Sequence, residues 1–343
     1  MSKNVLITGG AGFIGINAAD HFLKKGDKVI IFDNFSRDGS KKNIEWLKNE
    51  YKTNLTVVEG DVRYDLNKLQ ELVKNVELVI HLAAQVAVTT SVVNPEEDFE
   101  INARGTFNVL EAVRKSGNNP VFIYSSTNKV YGRLEDLKIV KKKTRYAFKD
   151  LPDGVSEARG LDFHSPYGCS KGTADQYVRD YSRIYGLNTI VFRQSCIYGP
   201  HQFGIEDQGW VAWFIIALNQ GKQITIYGDG KQVRDLLYVD DLIRAYDLAA
   251  TNIKKTKGQI YNVGGGSRNT ISIWYDFKPI LEKLFKRKLI AKFSSWRPGD
   301  QPIYVSDIKK AKKDFGWEPK VSVEEGIAKL HKWITSNKHL FNS

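Results

Sequence analysis

The stretch VLITGGAGFIG, residues 5–15, decides the fold class of this chain. Residues 5–8 form an apolar run typical of a buried strand, and residues 13–25 have the periodicity of a helix. The turn between them contains three glycines with G-x-x-G-x-x-G spacing, Gly9, Gly12 and Gly15. Glycine permits a tight turn and lets backbone N–H groups approach a pyrophosphate, so the stretch predicts a dinucleotide-binding turn that opens a βαβ unit.

The rest of the first half repeats this alternation of strand and helix. Further apolar runs predict strands at residues 28–33, 55–58, 78–82, 121–124 and 189–192. Continuous apolar strands separated by helices indicate a parallel sheet covered on both faces, so we expect an α/β fold with a Rossmann-type doubly wound sheet. After Gly199, a helix at 211–218, a strand at 224–227 and a helix at 240–250 introduce a smaller α+β lobe that extends to Leu340.

The change of pattern after Gly199 suggests two domains. We expect residues 1–198 to form the dinucleotide-binding domain, with residues 228–258 packing back on it. Residues 199–343 would then form mainly the substrate lobe. Ligands of open α/β sheets bind at the carboxyl ends of the strands, so the cleft is expected where the lobe faces that edge.

Composition argues against several other classes of protein. The formal net charge is +12, but the basic residues are scattered, and their densest clusters, 141–143 and 309–313, lack interleaved aromatic residues. We therefore predict solvated faces there and no nucleic-acid site. No apolar stretch is long enough for a membrane, and the two cysteines, Cys169 and Cys196, lack the spacing of a metal or disulfide site. Without a signal-peptide pattern, we expect a cytoplasmic protein that holds no metal.

An acidic residue ends the second strand where a ribose-binding acid is expected. This residue, Asp33, favours NAD over NADP, because its carboxylate can accept hydrogen bonds from both ribose hydroxyls and would repel a 2′-phosphate. Arg37 is close enough in sequence to weaken that preference. After the third strand, Asp61 either contacts adenine or caps the next helix, and the sequence leaves both alternatives open.

Tyr167 and Lys171 lie four residues apart and therefore share one face of a predicted helix. A nearby ammonium favours the phenolate, which brings a tyrosine towards use as an acid and base near neutral pH. The upstream strand that ends at Ser125-Ser126-Thr127 supplies a hydroxyl suited to hydrogen-bond a reacting oxygen beside the tyrosine.

Together, G-x-x-G-x-x-G, S-S-T at a strand end and Y-x-x-x-K resemble the extended short-chain dehydrogenase/reductases, the NAD-dependent epimerase/dehydratase family. The resemblance spans nearly the whole chain and implies a bound NAD. It assigns Thr127 as the hydroxyl partner, Tyr167 as the acid/base and Lys171 as its activator. It implies cofactor contacts from Gly9, Gly12, Phe13, Ile14, Gly15, Asp33, Asn34, Ser36, Arg37, Asp61, Val62, Leu82, Ala83, Ala84, Ser125, Tyr167 and Lys171.

The two residues that follow Thr127 restrict which reactions of the family this chain can catalyse. The family's sugar dehydratases carry an Asp-Glu pair there, and its decarboxylases carry a Glu at the second position, whereas this chain has Asn128 and Lys129. An amide and an ammonium cannot perform the proton chemistry of elimination. Epimerisation needs only reversible hydride transfer and one acid/base, so it is the reaction we expect.

Five longer stretches are more specific than these motifs: QVAVTTS at 85–91, SSTNKVYG at 125–132, LDFHSPYGCSKG at 161–172, DQGW at 207–210 and GKQVRD at 230–235. They resemble the branch of the family that epimerises CDP-linked dideoxyhexoses at carbon 2. The resemblance implies interconversion of CDP-paratose and CDP-tyvelose, a step of lipopolysaccharide O-antigen biosynthesis. A ketone at carbon 4 would acidify only carbons 3 and 5, so we expect transient oxidation of carbon 2 itself.

The same resemblance suggests the groups that bind the nucleotide sugar. Arg234 and Arg297 suit its pyrophosphate, because a guanidinium donates to phosphate oxygens through a planar fork. Each could instead form a surface ion pair, as Arg234 with Asp240. Further polar candidates for the sugar and phosphates, with loop, cap or structural roles as the alternative, are Gln85, Thr89, Thr127, Asn128, His164, Gln194 and Gln208.

Residues 101–113 and 176–185 are the helices through which relatives pair two subunits. This implies a homodimer or homotetramer, although an apolar stripe is more often core than interface. Two other functions stay open. One is another NDP-sugar epimerase, such as a UDP-hexose 4-epimerase, which uses the same triad. The other is a non-catalytic NAD-sensing regulator, which would typically lack the tyrosine or lysine that this chain keeps.

Overall fold

The computed structural model describes residues 2–297 and 300–341. The strands are β1 (Asn4–Thr8), β2 (Lys28–Asp33), β3 (Leu55–Glu59), β4 (Leu78–His81), β5 (Val121–Thr127), β6 (Ile139–Lys141), β7 (Tyr146–Phe148), β8 (Asn188–Gln194), β9 (Cys196–Tyr198), β10 (Ile224–Tyr227), β11 (Val233–Tyr238), β12 (Gln259–Val263), β13 (Thr270–Ser272), β14 (Ala291–Ser294) and β15 (Ile303–Tyr304). The α-helices are α1 (Phe13–Lys24), α2 (Ser40–Glu50), α3 (Leu66–Val73), α4 (Val88–Val93), α5 (Pro95–Phe99), α6 (Gly105–Lys115), α7 (Ser165–Tyr185), α8 (Trp210–Asn219), α9 (Val239–Thr251), α10 (Ile253–Thr256), α11 (Phe277–Phe285), α12 (Lys309–Phe315) and α13 (Val323–Ser336). A π-helical segment covers Glu100–Arg104, and 3-10 helices cover Asn128–Tyr131 and Lys338–Leu340.

A seven-stranded parallel sheet forms the centre of the molecule, in the order β12-β8-β5-β4-β1-β2-β3. This confirms the predicted Rossmann-type doubly wound fold, and all the predicted strands of the first half are present. The sequence did not predict β12, because Gln259 and Asn262 interrupt its apolar run. Asn262 is nevertheless buried, since it accepts a hydrogen bond from the Tyr131 hydroxyl at 2.7 Å and donates to the Val155 carbonyl at 2.8 Å.

Helices cover both faces of this sheet with apolar side chains. On one face α1, α2, α9 and α12 pack on the strands, with Phe22 and Leu242 fully buried. On the other face α3, α6 and α7 bury Leu69, Leu110 and Val178. Burying each such side chain contributes roughly 1.5–3 kcal/mol, so the strands and their carboxyl ends are held in one arrangement.

A smaller lobe begins where β8 ends. In it β9, β13 and β15 flank β11, and β10 pairs with β14. Its apolar core includes Phe214 of α8, Phe277 of α11 and Leu330 of α13. The chain also returns to the central sheet from this half, because α9 packs on α1 and β12 pairs with β8.

Two kinds of feature are absent from the described ranges, 2–297 and 300–341. No helix there combines the length and the apolar character needed to cross a bilayer. No cluster of His, Cys, Asp and Glu side chains there is arranged to hold a metal ion.

Candidate active site

The glycine turn lies where the strand order of the sheet reverses, between β1 and β4. Gly9 has φ = +68°, and a Cβ built on it would lie 2.6 Å from the backbone nitrogen of Ala83, just after β4. A Cβ on Gly15 would lie 2.5 Å from the Cα of Gly10. Side chains are therefore excluded at both positions, and the turn and the start of α1 present bare backbone to the cleft.

Asp33 ends β2 beside this turn. Its carboxylate accepts hydrogen bonds from the N–H groups of Ala11 at 3.0 Å and Phe35 at 2.8 Å. Burial raises the pKa of Asp33, and these two hydrogen bonds oppose that rise. Each carboxylate oxygen keeps a further lone pair, so the group can accept two more hydrogen bonds, as a ribose diol requires.

Asp61 follows β3, and its carboxylate is held by two neighbouring side chains. Arg63 donates through Nε at 3.0 Å and Nη2 at 2.8 Å, and Asn34 donates at 2.8 Å. Burial raises the pKa of Asp61, but these hydrogen bonds outweigh it and lower the pKa to about 2. The helix-cap alternative for Asp61 is wrong, because Asp65 occupies the N-cap position of α3. The adenine contact stays a prediction, as does that of the buried neighbour Val62.

The predicted catalytic side chains meet at the end of β5 and the first turns of α7. Thr127 ends β5, and its hydroxyl lies beside the phenol of Tyr167. Thr127 Oγ1 also accepts from the backbone N–H of Lys129 at 3.2 Å, which orients it. Burial raises the pKa of Tyr167 to about 12, although the Thr127 hydroxyl opposes the rise. The tyrosine is therefore a neutral acid near pH 7.

Lys171 lies one helical turn after Tyr167 and is 4% exposed. Its Nζ donates to the carbonyl of Ser125 at 2.5 Å. Burial lowers the pKa of Lys171 to about 7, although Asp175 and Asp98 raise it. The pKa of Lys171 is thus near neutral pH, which suits a group that assists proton transfer at Tyr167. If Tyr167 became a phenolate, its negative charge would favour the protonated, positively charged form of Lys171.

A buried polar network beside Tyr167 was missed by the sequence analysis. Asp98 is fully buried and accepts hydrogen bonds from the Ser170 hydroxyl and, at 3.1 Å, from Asn102. Ser91 Oγ accepts from the backbone N–H of Tyr167 at 3.2 Å. These contacts hold the start of α7 against α4, α5 and the π-helical segment, a rare element often found at functional sites. No motif spacing in the sequence marks them.

A second missed contact joins α7 to the central sheet. Arg193 of β8 donates through Nε and Nη2 to the carboxylate of Asp175 at 2.9 Å each, and Ser126 of β5 donates to the same carboxylate at 2.7 Å. The ion pair is 3% exposed at the arginine and 0% at the aspartate. Removing one partner of such a pair typically costs about 3–5 kcal/mol, so it fixes α7 relative to β5 and β8.

The two arginines predicted to bind phosphate have different surroundings. Arg234 of β11 is 7% exposed, and in residues 2–297 and 300–341 it forms no ion pair, so the Asp240 alternative is not observed. Arg297 forms an ion pair with Asp207 at 3.0 Å. A surface ion pair was the alternative to phosphate binding that the sequence left open for this arginine. Arg234 therefore has the more favourable surroundings for an anion.

Two predicted polar residues contact other parts of the protein. Gln208 accepts a hydrogen bond from the guanidinium of Arg37, which links the lobe to the loop after β2. Gln194 is buried and donates to the hydroxyl of Tyr246 at 2.5 Å. The contact of Arg37 with Gln208 connects the predicted cofactor and substrate sides of the cleft, whereas Gln194 and Tyr246 both belong to the central-sheet part.

The other polar candidates are less constrained. His164 accepts from Arg133 Nε at 2.9 Å and is exposed, as is Thr89 on α4. The side-chain amide of Gln85 is hydrogen-bonded within its own turn. Asn128 is 8% exposed and adjoins Thr127, the predicted hydroxyl partner. The structure does not test their predicted contacts with substrate.

The family model described as GDP-mannose 4,6 dehydratase matches residues 6–330 of the chain. This chain belongs to that family, within the extended short-chain dehydrogenase/reductases. It is 46% identical over 338 residues to CDP-paratose 2-epimerase of Salmonella typhi, covering 97% of this chain and 99% of that protein. UDP-glucose 4-epimerase of Thermotoga maritima, solved with UDP-glucose, has a TM-score of 0.83 at 32% identity, covering 98% of this chain and 99% of that one. A dTDP-glucose 4,6-dehydratase of Streptomyces venezuelae, solved with NAD, has a TM-score of 0.83 at 27% identity, covering 98% of both chains.

This chain is an NAD-dependent enzyme, and the dTDP-glucose 4,6-dehydratase of Streptomyces venezuelae, a relative, is solved with NAD. Two observations show that its cleft fits the dinucleotide. The turn leaves no room for a Cβ at Gly9 or Gly15, so backbone N–H groups can approach a pyrophosphate. Asp33 keeps acceptors for ribose hydroxyls, which suits NAD over NADP.

The close approach at Gly15 generates a prediction for cofactor binding. In Gly15→Ala the new methyl group collides with the backbone of Gly10, so the turn must shift, and NAD affinity is expected to fall about tenfold to hundredfold. Gly160→Ala is the matched control, since a Cβ there meets no atom within 4 Å. Calorimetric titration of NAD into protein stripped of cofactor measures the difference. Equal affinities in the two variants would contradict this role of the turn.

Proposed function

We propose that this chain interconverts CDP-paratose and CDP-tyvelose by NAD-dependent epimerisation at carbon 2. The observation that carries the proposal is the 46% identity to CDP-paratose 2-epimerase of Salmonella typhi along 97% of this chain. A match of that extent includes the lobe as well as the central sheet. This matters because the substrate of such enzymes is selected by groups of both parts.

The reaction needs one group that takes up and returns a proton. Tyr167 removes the proton of the carbon-2 hydroxyl and later returns it, while the Thr127 hydroxyl holds the same sugar oxygen. When bound, NAD supplies the hydride acceptor and donor. Lys171, whose pKa is lowered to about 7 by burial, stabilises the phenolate that Tyr167 transiently becomes. The keto-sugar rotates within the cleft, so that the opposite face of carbon 2 receives the returning hydride.

The residues beside Thr127 support epimerisation rather than dehydration. Asn128 and Lys129 stand where the family's dehydratases carry an acid pair, and neither can serve as the carboxylate base of elimination. Carbon 2 is not adjacent to carbon 4, so a ketone at carbon 4 would not labilise its hydrogen. Oxidation at carbon 2 avoids this difficulty and needs only the triad for the proton and NAD for the hydride.

Several finer assignments belong to this proposal. The sugar and phosphates lie between residues 1–198 and the 199–343 lobe, and the enzyme acts in the cytoplasm. The cofactor and substrate contacts are those named from the sequence, with Arg234 holding the pyrophosphate. The alternative of a non-catalytic regulator is disfavoured, because Tyr167 and Lys171 are both present and adjoin Thr127.

We further propose that the active form is a homodimer or homotetramer paired through α6 and α7. These helices expose large apolar side chains: Phe107 is 37%, Tyr177 47%, Ile184 66% and Tyr185 52% exposed. Adjacent exposed apolar groups of this size are typical of a subunit interface. One of these helices, α7, also carries Tyr167 and Lys171, so pairing would stabilise the position of the proposed catalytic side chains.

Charge placed on this apolar surface is expected to separate the subunits. The double variant Tyr177→Lys with Ile184→Lys should sediment as a monomer in analytical ultracentrifugation, whereas the wild type should sediment as a dimer or tetramer. Tyr64→Lys is the control, since Tyr64 is 73% exposed outside these helices. A wild-type monomer would refute the proposed assembly.

The proposed reaction can be followed by proton NMR of the anomeric region. Purified protein incubated with CDP-paratose, first without and then with added NAD, should produce CDP-tyvelose. Tyr167→Phe should lower the rate about 10²–10⁴-fold, because it removes the acid/base, whereas Tyr64→Phe should leave the rate unchanged. No conversion with NAD present would favour the second candidate, a UDP-hexose 4-epimerase, to which the structural similarity at a TM-score of 0.83 also points. Conversion of UDP-hexoses but not CDP-paratose would establish that alternative.

A further inference from the structure

Lys129 extends from the catalytic strand towards the lobe. Its backbone N–H donates to Thr127 Oγ1 at 3.2 Å, and its Nζ lies 3.4 Å from Gln301 Oε1. Gln301 is 1% exposed and donates in turn to the carbonyl of Gly132, so this acceptor is fixed. The ammonium is therefore held within the cleft by the same short segment that orients the catalytic threonine.

The charges around Lys129 come from three other elements. Burial and, to a smaller extent, the guanidinium of Arg234 on β11 lower the pKa of Lys129, Asp300 and Cys196 raise it, and the result is a pKa of about 8. Cys196 also lies close to Arg234, and burial raises the pKa of its thiol. Within the described ranges, neither Lys129 nor Arg234 forms an ion pair. Gln301, which Lys129 contacts, precedes Pro302, whose carbonyl accepts a hydrogen bond from the N–H of Val233 at 2.9 Å, so the half-buried Lys129 lies near the buried Arg234. Two neighbouring cations that lack a paired carboxylate form a surface suited to an anion.

Epimerisation at carbon 2 places a special demand on the position of the phosphates. Carbon 2 is bonded directly to the anomeric carbon that carries the diphosphate, whereas carbon 4 lies across the sugar ring. When carbon 2 faces Tyr167, the β-phosphate must lie closer to the end of β5 than it does in a 4-epimerase. A cation two residues after Thr127 would attract a β-phosphate in that position, whereas a carboxylate at the same place would repel it.

We propose that Lys129 binds the β-phosphate of the nucleotide sugar together with Arg234, and thereby presents carbon 2 rather than carbon 4 to Tyr167. The inference rests on the proposed function for its regiochemistry. Phosphate binding by Lys129 can be tested without the sugar. Lys129 thus acts as a positioning and specificity residue, distinct from the triad that handles the proton and the hydride.

The test compares two nucleotides that differ only in the β-phosphate. CDP and CMP are titrated calorimetrically into the NAD-loaded wild type, Lys129→Gln, Lys129→Arg and the surface control Lys74→Gln, whose lysine is 48% exposed. In Lys129→Gln the affinity for CDP should fall about tenfold to hundredfold, the effect of one charge-assisted hydrogen bond, while the affinity for CMP stays within about twofold. Lys129→Arg should keep most of the preference for CDP, and Lys74→Gln all of it.

Two results would overturn the inference: an unchanged CDP affinity in Lys129→Gln, or equal losses for CDP and CMP. If Lys129→Gln fails to fold, Lys129→Met is measured in the same way, and an unchanged affinity for CDP in that folded variant would exclude phosphate binding by Lys129. The proposed function fails separately, when the wild type leaves CDP-paratose unchanged. With active wild type, the Lys129→Gln variant should also raise KM for CDP-paratose more than it lowers kcat.

Discussion

A buried ion pair holds α7 against the central sheet, and the geometry of the catalytic centre depends on it. Asp175 of α7 accepts two hydrogen bonds from Arg193 of β8 and one from the strand that ends at Thr127. Both charges are removed from water, so each needs the other and the helix has one favourable position. That position sets Tyr167 against Thr127 and places the ammonium of Lys171 at the end of β5.

The two sides of the cleft carry groups suited to different ligands: the dinucleotide on one side and the nucleotide sugar on the other. On the side of the central sheet, bare backbone at the glycine turn and the carboxylate of Asp33 provide donors for a pyrophosphate and acceptors for a ribose. On the lobe side, Arg234 and Lys129 provide cations without paired acids in the described chain. The segment from Thr127 to Lys129 joins the two sides, so the hydroxyl beside Tyr167 and an ammonium that reaches towards the lobe belong to one short element.

Much of the fold was predictable because its signals are local. The glycine turn, the apolar strands and the spacing of Tyr167 and Lys171 are each contained within a few residues, and a parallel sheet brings their ends together. The contacts that were missed join distant segments: Asn262 of β12 is satisfied by Tyr131, 131 residues away, and Asp98 meets Ser170 across 72 residues. The sequence left two alternatives for Asp61, because Asp61 and Asp65 are both good cap residues. In the structure Asp65 is the N-cap of α3 and Asp61 pairs with Arg63.

Direct oxidation of carbon 2 is tested most directly with CDP-paratose that carries deuterium at that carbon. The labelled substrate is incubated with the NAD-loaded protein in ordinary water, and the CDP-tyvelose formed is analysed by proton and deuterium NMR. If the hydrogen leaves and returns as hydride within a closed cleft, the product retains the deuterium at carbon 2. Replacement of the deuterium by solvent hydrogen would contradict the account, because it would mean that the bond at carbon 2 is broken by loss of a proton.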